Sequence, residues 1–213
     1  MKEENTLMIT QMRAEIFKTL SVCFSKPVTL TSRHINTLWK SMSVISPEAA
    51  TAVEKMSSYV EKCADLEELT IDHARLFIGP FSLLSPPFGS VYLDPERKVM
   101  GESTQGVMDL YMSFGLGLAP DFYYTPDHII AELEFMYYLA MKEMEAITQM
   151  DEESRGSIFQ NEKTFMEIYL APWIKEFTDA LGLHARTLFY KNLALATRIF
   201  IEKERRYFSE NAL

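Results

Sequence analysis

Cysteine, histidine and long apolar runs are what this 213-residue chain has least of, and each scarcity removes a class of function. Only Cys23 and Cys63 are present, far apart and each at an apolar position of a predicted helix, which reads as buried thiols in a reducing compartment and not as a disulfide framework. His34, His73, His128 and His184 stand isolated from one another, so no metal site is expected. No stretch reaches membrane-spanning length, and Met1-Lys2-Glu3-Glu4-Asn5 leads into an amphipathic helix with no apolar segment and cleavage site behind it. A cytoplasmic location without membrane insertion is the expectation. Positive charge is also short: 21 Lys and Arg face 30 Asp and Glu, for a net charge of −9. Such a field repels phosphate, disfavours nucleic acid and attracts a cationic peptide. Lys40-Ser41 has no glycine before it, so the phosphate-cradling loop G-x-x-x-x-G-K-S/T is missing. No G-x-S-x-G elbow occurs either, and Ser90 has no strand context.

What is present is helical spacing. Ile9, Met12, Ile16, Phe17, Leu20, Cys23 and Phe24 trace one face of a first helix that must end near Lys26-Pro27. Thr31 or Ser32 can cap a second, and Ser46-Pro47-Glu48 signals a third, with a hydroxyl cap and proline in the first turn. A fourth begins at Asp65 and ends at Gly79-Pro80. A fifth follows Gly101, with Val107, Leu110, Tyr111 and Phe114 inward and Gly115 as a left-handed stop. After an irregular stretch from Leu116 to Thr125, Pro126-Asp127 opens a long helix reaching about Gln149. Residues 158–181 read as helix with a break near Ala171, caused by Pro172, and a last helix spans about His184 to Phe208. Trp39 and Trp173 read as core. With no alternating period, repeat or linker, residues 1–213 are expected to form a single all-α globular domain of about eight to nine helices.

One segment resists this pattern. Residues 76–94 hold three of the nine prolines and two of the eight glycines, which makes the segment a long irregular loop between helices. It is nonetheless apolar. A stiff apolar loop either plugs the core or lines a groove that awaits another apolar surface, and the second option is the one a binding protein needs. Beyond it, Asp121, Asp127, Glu132, Glu134, Glu143 and Glu145 are faced only by Lys142 between positions 121 and 145. Much of this is expected to be solvated surface, with Asp127 and then Glu132 the strongest functional candidates. Asp127-His128 also reads as a helix N-terminus, with the carboxylate on the free amides and the imidazole at the rim. As half of a hydrolytic triad the pair is weak, because adjacent residues do not form a base and its orienter unaided.

Arg75-Leu76-Phe77-Ile78-Gly79-Pro80, Ser85-Pro86-Pro87-Phe88-Gly89-Ser90-Val91-Tyr92-Leu93-Asp94 and Gly101-Glu102-Ser103-Thr104 together resemble the TorD/DmsD family of redox-enzyme maturation chaperones. Pro126-Asp127-His128 looks like that family's acidic-histidine motif, and Leu170-Ala171-Pro172-Trp173 with Phe177 like its C-terminal signature. The chain departs from the family in carrying Phe81, Phe88 and Tyr92 where relatives carry tryptophan, and Tyr124-Thr125 in place of a Glu-Pro. The resemblance implies an all-helical cytoplasmic chaperone, without catalytic activity or cofactor of its own. Such a protein binds the twin-arginine leader of a molybdopterin oxidoreductase catalytic subunit and holds the apo form back from export until its cofactor is inserted. It implies a leader-binding groove lined by Leu76, Phe77, Phe81, Pro87, Phe88, Tyr92, Gly101, Asp127 and His128. The alternatives are an assembly chaperone of a non-exported molybdoenzyme, like the related nitrate reductase delta proteins, or a helical hydrolase using Asp127 and His128. A monomer and a domain-swapped dimer are both compatible with the sequence.

Overall fold

Apolar residues spaced three and four apart become helices that each bury one stripe, and a computed structural model describes residues 2–63, 66–79 and 83–211 as all-α. The helices are α1 (Lys2–Phe24), α2 (Ser32–Ile45), α3 (Pro47–Lys62), α4 (Glu67–His73), α5 (Ser90–Leu93), α6 (Glu102–Ser113), α7 (Ile129–Gln149), α8 (Glu152–Phe165), α9 (Ala171–His184) and α10 (Leu188–Glu210). Since α5 is a single turn, nine helices of greater length build the fold among the described residues. None of the described helices is long and apolar enough to cross a membrane.

α1 packs on α2 and α7, α10 on α3 and α9, and α7 on α8. One continuous core runs through them. Ile16, Phe17 and Leu20 of α1 meet Leu133 and Met136 of α7 and Phe200 of α10 in it, all fully buried, and the Phe17 and Phe200 rings meet edge to face with centroids 5.0 Å apart. Each such side chain contributes about 1.5–3 kcal/mol of burial free energy. Trp173 lies in this core as expected, whereas Trp39 is 41% exposed: one edge of the α2 stripe reaches past the packed layer.

Helix ends follow local chemistry. Thr31 accepts from the His34 amide at 3.4 Å while His34 Nδ1 accepts from the Thr31 amide at 3.2 Å, a reciprocal cap with histidine in the usual Glu/Gln place. Ser46 precedes Pro47 as the sequence suggests, yet its hydroxyl makes no capping bond. Gly115, at φ 69°, ends α6 in the left-handed conformation. The expected start at Asp65 lies outside the described residues. Pro172 removes an N–H and crowds the carbonyl four residues earlier, and the chain absorbs this in a π turn over Met166–Leu170 before α9.

The last helix begins at Leu188 and not at His184, which instead closes α9. Asp72 of α4 is the cause. Its Oδ2 accepts from the Arg186 and Thr187 amides at 2.9 and 2.8 Å and from the Thr187 hydroxyl at 2.9 Å, fixing a corner between the two helices. Burial pushes the Asp72 carboxyl up, but these bonds and that from Arg75 outweigh it and hold its pKa below the ordinary value.

A charged knot ties four helices together. Arg13 of α1, 1% exposed, donates to Glu143 of α7 at 3.1 Å, Glu162 of α8 at 3.1 Å and Glu204 of α10 at 2.7 Å. Its guanidinium lies 5.0 and 4.9 Å from the ring centroids of Tyr207 and Phe208. Burial, reinforced by Glu143 and Glu204 and opposed by Arg13, pushes Glu162 up to about 8. Glu162 therefore holds a proton at neutral pH. Arg155, 3.8 Å from Glu143, supplies a second cation, so the knot comes close to charge balance.

Candidate functional site

The proline- and glycine-rich loop is positioned from both ends. α4 passes into a π turn over Ala74–Ile78, which Gly79 ends at φ 52°. Downstream, the Ser85 amide donates to Leu76 O at 3.1 Å and the Tyr92 hydroxyl to Pro86 O at 2.9 Å. Phe88 and His128 then form an isolated antiparallel bridge: Gly89 N donates to Asp127 O at 2.8 Å and Ile129 N to Pro87 O at 2.9 Å. Loop and α7 start are thus latched backbone to backbone.

The side chains at this latch have roles opposite to those their spacing suggests. Asp127 is outside the first turn of α7, and its Oδ2 instead accepts from the Ser90 amide at 2.8 Å, serving the start of α5. His128 is the N-cap of α7, with Nδ1 accepting from Ile130 N at 3.2 Å, so its proton sits on Nε2. It is buried, not at the rim. Its ring stacks on Tyr124 with centroids 4.2 Å apart and meets Phe88 edge-on at 5.1 Å. Burial, with the Asp127 charge opposing it, holds the imidazole pKa down to about 3, so His128 is neutral.

Beneath the latch is a second carboxylate. Glu132 is fully buried and accepts from Trp173 Nε1 through Oε2 at 3.1 Å. Burial, and then the Asp127 charge, push its pKa well above the ordinary value, which favours the protonated form. Glu132 Oε1, Asp127 Oδ1 and Ser90 Oγ are buried with no hydrogen-bond partner. A Cβ at Gly89 would lie 3.2 Å from both Glu132 Oε1 and Trp173 Nε1, so the loop backbone comes as near to this pair as glycine allows. Tyr92 stacks on Trp173 with centroids 5.6 Å apart.

The structure gathers the sequence candidates around this latch but does not present them as an open groove. Leu76, Phe77 and Pro87 are buried, as are Asp127 and His128, while Phe88, Tyr92 and Gly101 are partly exposed. Phe81 lies outside the described residues. Phe77 packs with Phe24, His73, Phe177 and Tyr190. The space bounded by Phe24, His73, Phe77, Pro87, Tyr124 and His128 measures only about 10 Å³. Where the sequence suggests a waiting groove, Leu76, Phe77 and Pro87 are packed inside, because side chains this apolar gain more from burial than from facing water, while Phe88 and Tyr92 keep partial exposure. Gly101 is explained by close approach. A Cβ there would sit 1.8 Å from Asp94 Oδ2, the carboxylate that accepts from the Ser103 amide and hydroxyl at the start of α6.

Triad geometry is not assembled. Asp127 Oδ2 and His128 Nδ1 each accept from a backbone amide, and among the described residues no nucleophile is bonded to the imidazole. No group of three or more potential metal ligands converges among the described residues. Cys23, buried and with its thiol pushed up to about 12 by burial, is inert. Sequence reasoning missed the Trp173–Glu132 bond and the Arg13 knot, since neither partner lies within helical reach of the other.

Residues 44–179 match the profile of the family described as nitrate reductase delta subunit. The Haemophilus influenzae protein assigned as a Tat proofreading chaperone DmsD is 28% identical over 144 residues, covering 68% of this chain and 63% of that relative, so the chain spans under two thirds of its length. The chaperone protein TorD of Photobacterium profundum is 25% identical over 184 residues, 82% of this chain and 83% of that one. A crystal structure from Archaeoglobus fulgidus assigned to redox enzyme maturation superposes with a TM-score of 0.54 at 24% identity, covering 89% of this chain and 93% of that one, which is a likeness of fold. These relatives are chaperones or maturation proteins and not enzymes, the class the sequence motifs implied.

Proposed function

Starting from the fact that the chain belongs to the nitrate reductase delta subunit family, a family of redox-enzyme chaperones, we propose that it acts in the cytoplasm on the twin-arginine leader of a molybdopterin oxidoreductase catalytic subunit. It holds the apo form there until its cofactor is inserted. The observation that carries this reading is the pair of unpartnered carboxyl oxygens, Asp127 Oδ1 and Glu132 Oε1, under a loop latched to α7. A guanidinium presents a fork of donors that such oxygens accept, and an arriving charge would favour deprotonation of Glu132. The leader takes the place of the loop: its apolar residues replace Phe88 and its neighbours against the aromatic wall of Tyr124 and His128. The Gly89 and Ile129 hydrogen bonds each contribute about 0.5–1.5 kcal/mol and the charge-assisted one from Ser90 about 1.5–3 kcal/mol, and the leader's apolar segment has to return these together with the burial of the side chains it displaces.

The test is recovery of partners from anaerobic cells with the tagged full chain, followed by calorimetric titration of the leader of whatever is recovered. Recovery of an exported molybdoenzyme, with saturable leader binding, is the expected result. Recovery of a non-exported nitrate-reductase-like enzyme would replace leader proofreading with the assembly role, and recovery of no redox enzyme would end both.

A further inference from the structure

An open apolar groove lies one ring away from the closed latch, on the other side of Tyr124 and His128. α6, the 114–125 connection and α7 enclose about 260 Å³ between Leu118, Phe122, Ala131, Phe135 and Tyr138, with Glu134 the one acidic or basic side chain in its lining. Phe122 belongs to both places: it lines this groove, and its ring centroid lies 6.2 Å from that of His128. A second open surface, lined by Met141, Lys142, Met144 and Glu145, adjoins it along α7 at Tyr138. From Ala131 to Glu145 this is about 20 Å of helix.

Its charge selects its occupant. From Val99 to Met141 the chain has no lysine or arginine, while Glu102, Asp109, Asp121 and Glu134 fall within that span besides the buried Asp127 and Glu132, and Lys142 at the far end is paired with Glu145 at 2.8 Å. Glu134 is paired at 2.9 Å with Lys18, but both side chains are about half exposed, at 45% and 47%. Exposed pairs of this kind contribute at most about 1 kcal/mol, so an incoming guanidinium can exchange with Lys18. A second copy of this chain would bring the same acidic wall against this one.

We infer that the α6–α7 groove is the seat of the apolar stretch of a cationic peptide, with Glu134 receiving one of its guanidinium groups. This rests on the leader-binding reading and adds to it a docking site that is accessible before the loop is released. Adaptable methionine and aromatic surface then accepts leaders of differing apolar sequence.

The experiment uses the purified full chain and a synthetic peptide of two arginines followed by about fourteen Leu and Ala residues, enough to span the groove as a helix, with a benzophenone in the apolar part. Adducts after irradiation are mapped by mass spectrometry. The expected result is adducts at residues 116–122, Tyr138 and Met141. They should be suppressed by Ala119→Trp, a change at an exposed position lining the groove that leaves the core untouched, with binding weakened about tenfold. Glu134→Gln should reduce the advantage of the arginine peptide over the same peptide with both arginines replaced by glutamine. Adducts confined to residues 76–94 would overturn the groove while leaving leader binding intact. Binding of neither peptide would overturn the groove and the leader reading together.

Discussion

Trp173 Nε1 donates to Glu132 Oε2 at 3.1 Å, and the other oxygen of that carboxyl faces Gly89 with nothing to accept from. Because burial raises the Glu132 pKa in the fold above its unfolded value, its contribution favours folding at low pH and declines as pH rises above the ordinary carboxyl value. Glu132→Gln should remove that decline and make the variant more stable than the parent at alkaline pH. Trp173→Phe should cost about 1–3 kcal/mol at any pH by leaving a buried polar group unpaired. Urea melts at acid and alkaline pH check both, and a Gln variant with an unchanged pH slope would contradict the raised Glu132 pKa.

Arg13→Met leaves Glu143, Glu162 and Glu204 facing one another without their shared cation. The expected loss is about 3–5 kcal/mol in chemical denaturation. Replacing the three carboxylates as well, by apolar residues of similar volume, should recover most of it.

Glu162 titrates at about 8 in the fold against an ordinary 4.5, so the folded state binds the extra proton between these values and stability falls as pH rises through that window. His128 works in the opposite sense. Its pKa of about 3, against an ordinary 6.5, withdraws stability as pH falls from 6.5 towards 3. Glu162→Gln should therefore flatten the alkaline limb by up to about 1.4 kcal/mol per pH unit and leave the acid limb alone. Denaturation midpoints across both windows separate the two groups.

Gly101→Ala should force the Asp94 side chain off the Ser103 amide and uncap α6, costing about 1–2 kcal/mol. Thermal unfolding reads the loss, and Asp94→Ala should reproduce most of it without adding to it.

Phe88→Ala should weaken leader binding more than Asp127→Asn. The phenyl ring supplies apolar contact against His128, whereas asparagine retains an oxygen to accept from the Ser90 amide. Calorimetry with the client's leader decides the order, and the reverse ranking would make charge the main source of affinity.

Most helices were legible because a buried stripe repeats every three or four residues and because Lys26-Pro27, Ser46-Pro47 and Gly115 act through neighbours in the chain. The error at the last helix has a distant cause: Asp72 seizes the amides of Arg186 and Thr187, more than a hundred residues away. Asp127-His128 shows the same limit more sharply. Its spacing suggested an acidic first turn with an exposed imidazole, but the loop arriving from residue 87 claimed the carboxylate, leaving the imidazole to cap α7. That the 76–94 segment was irregular and apolar could be read directly. Whether it faced solvent depended on the ring cluster around Phe177, which only the packed molecule reveals.

Arg13 is made before its partner Glu204, which follows 191 positions later in the chain. Until α10 has left the ribosome, the guanidinium has no complete set of acceptors and the Phe17 ring lacks its partner Phe200. While α10 is still being made, α1 thus carries exposed apolar surface, the condition from which the protein is proposed to shelter its client.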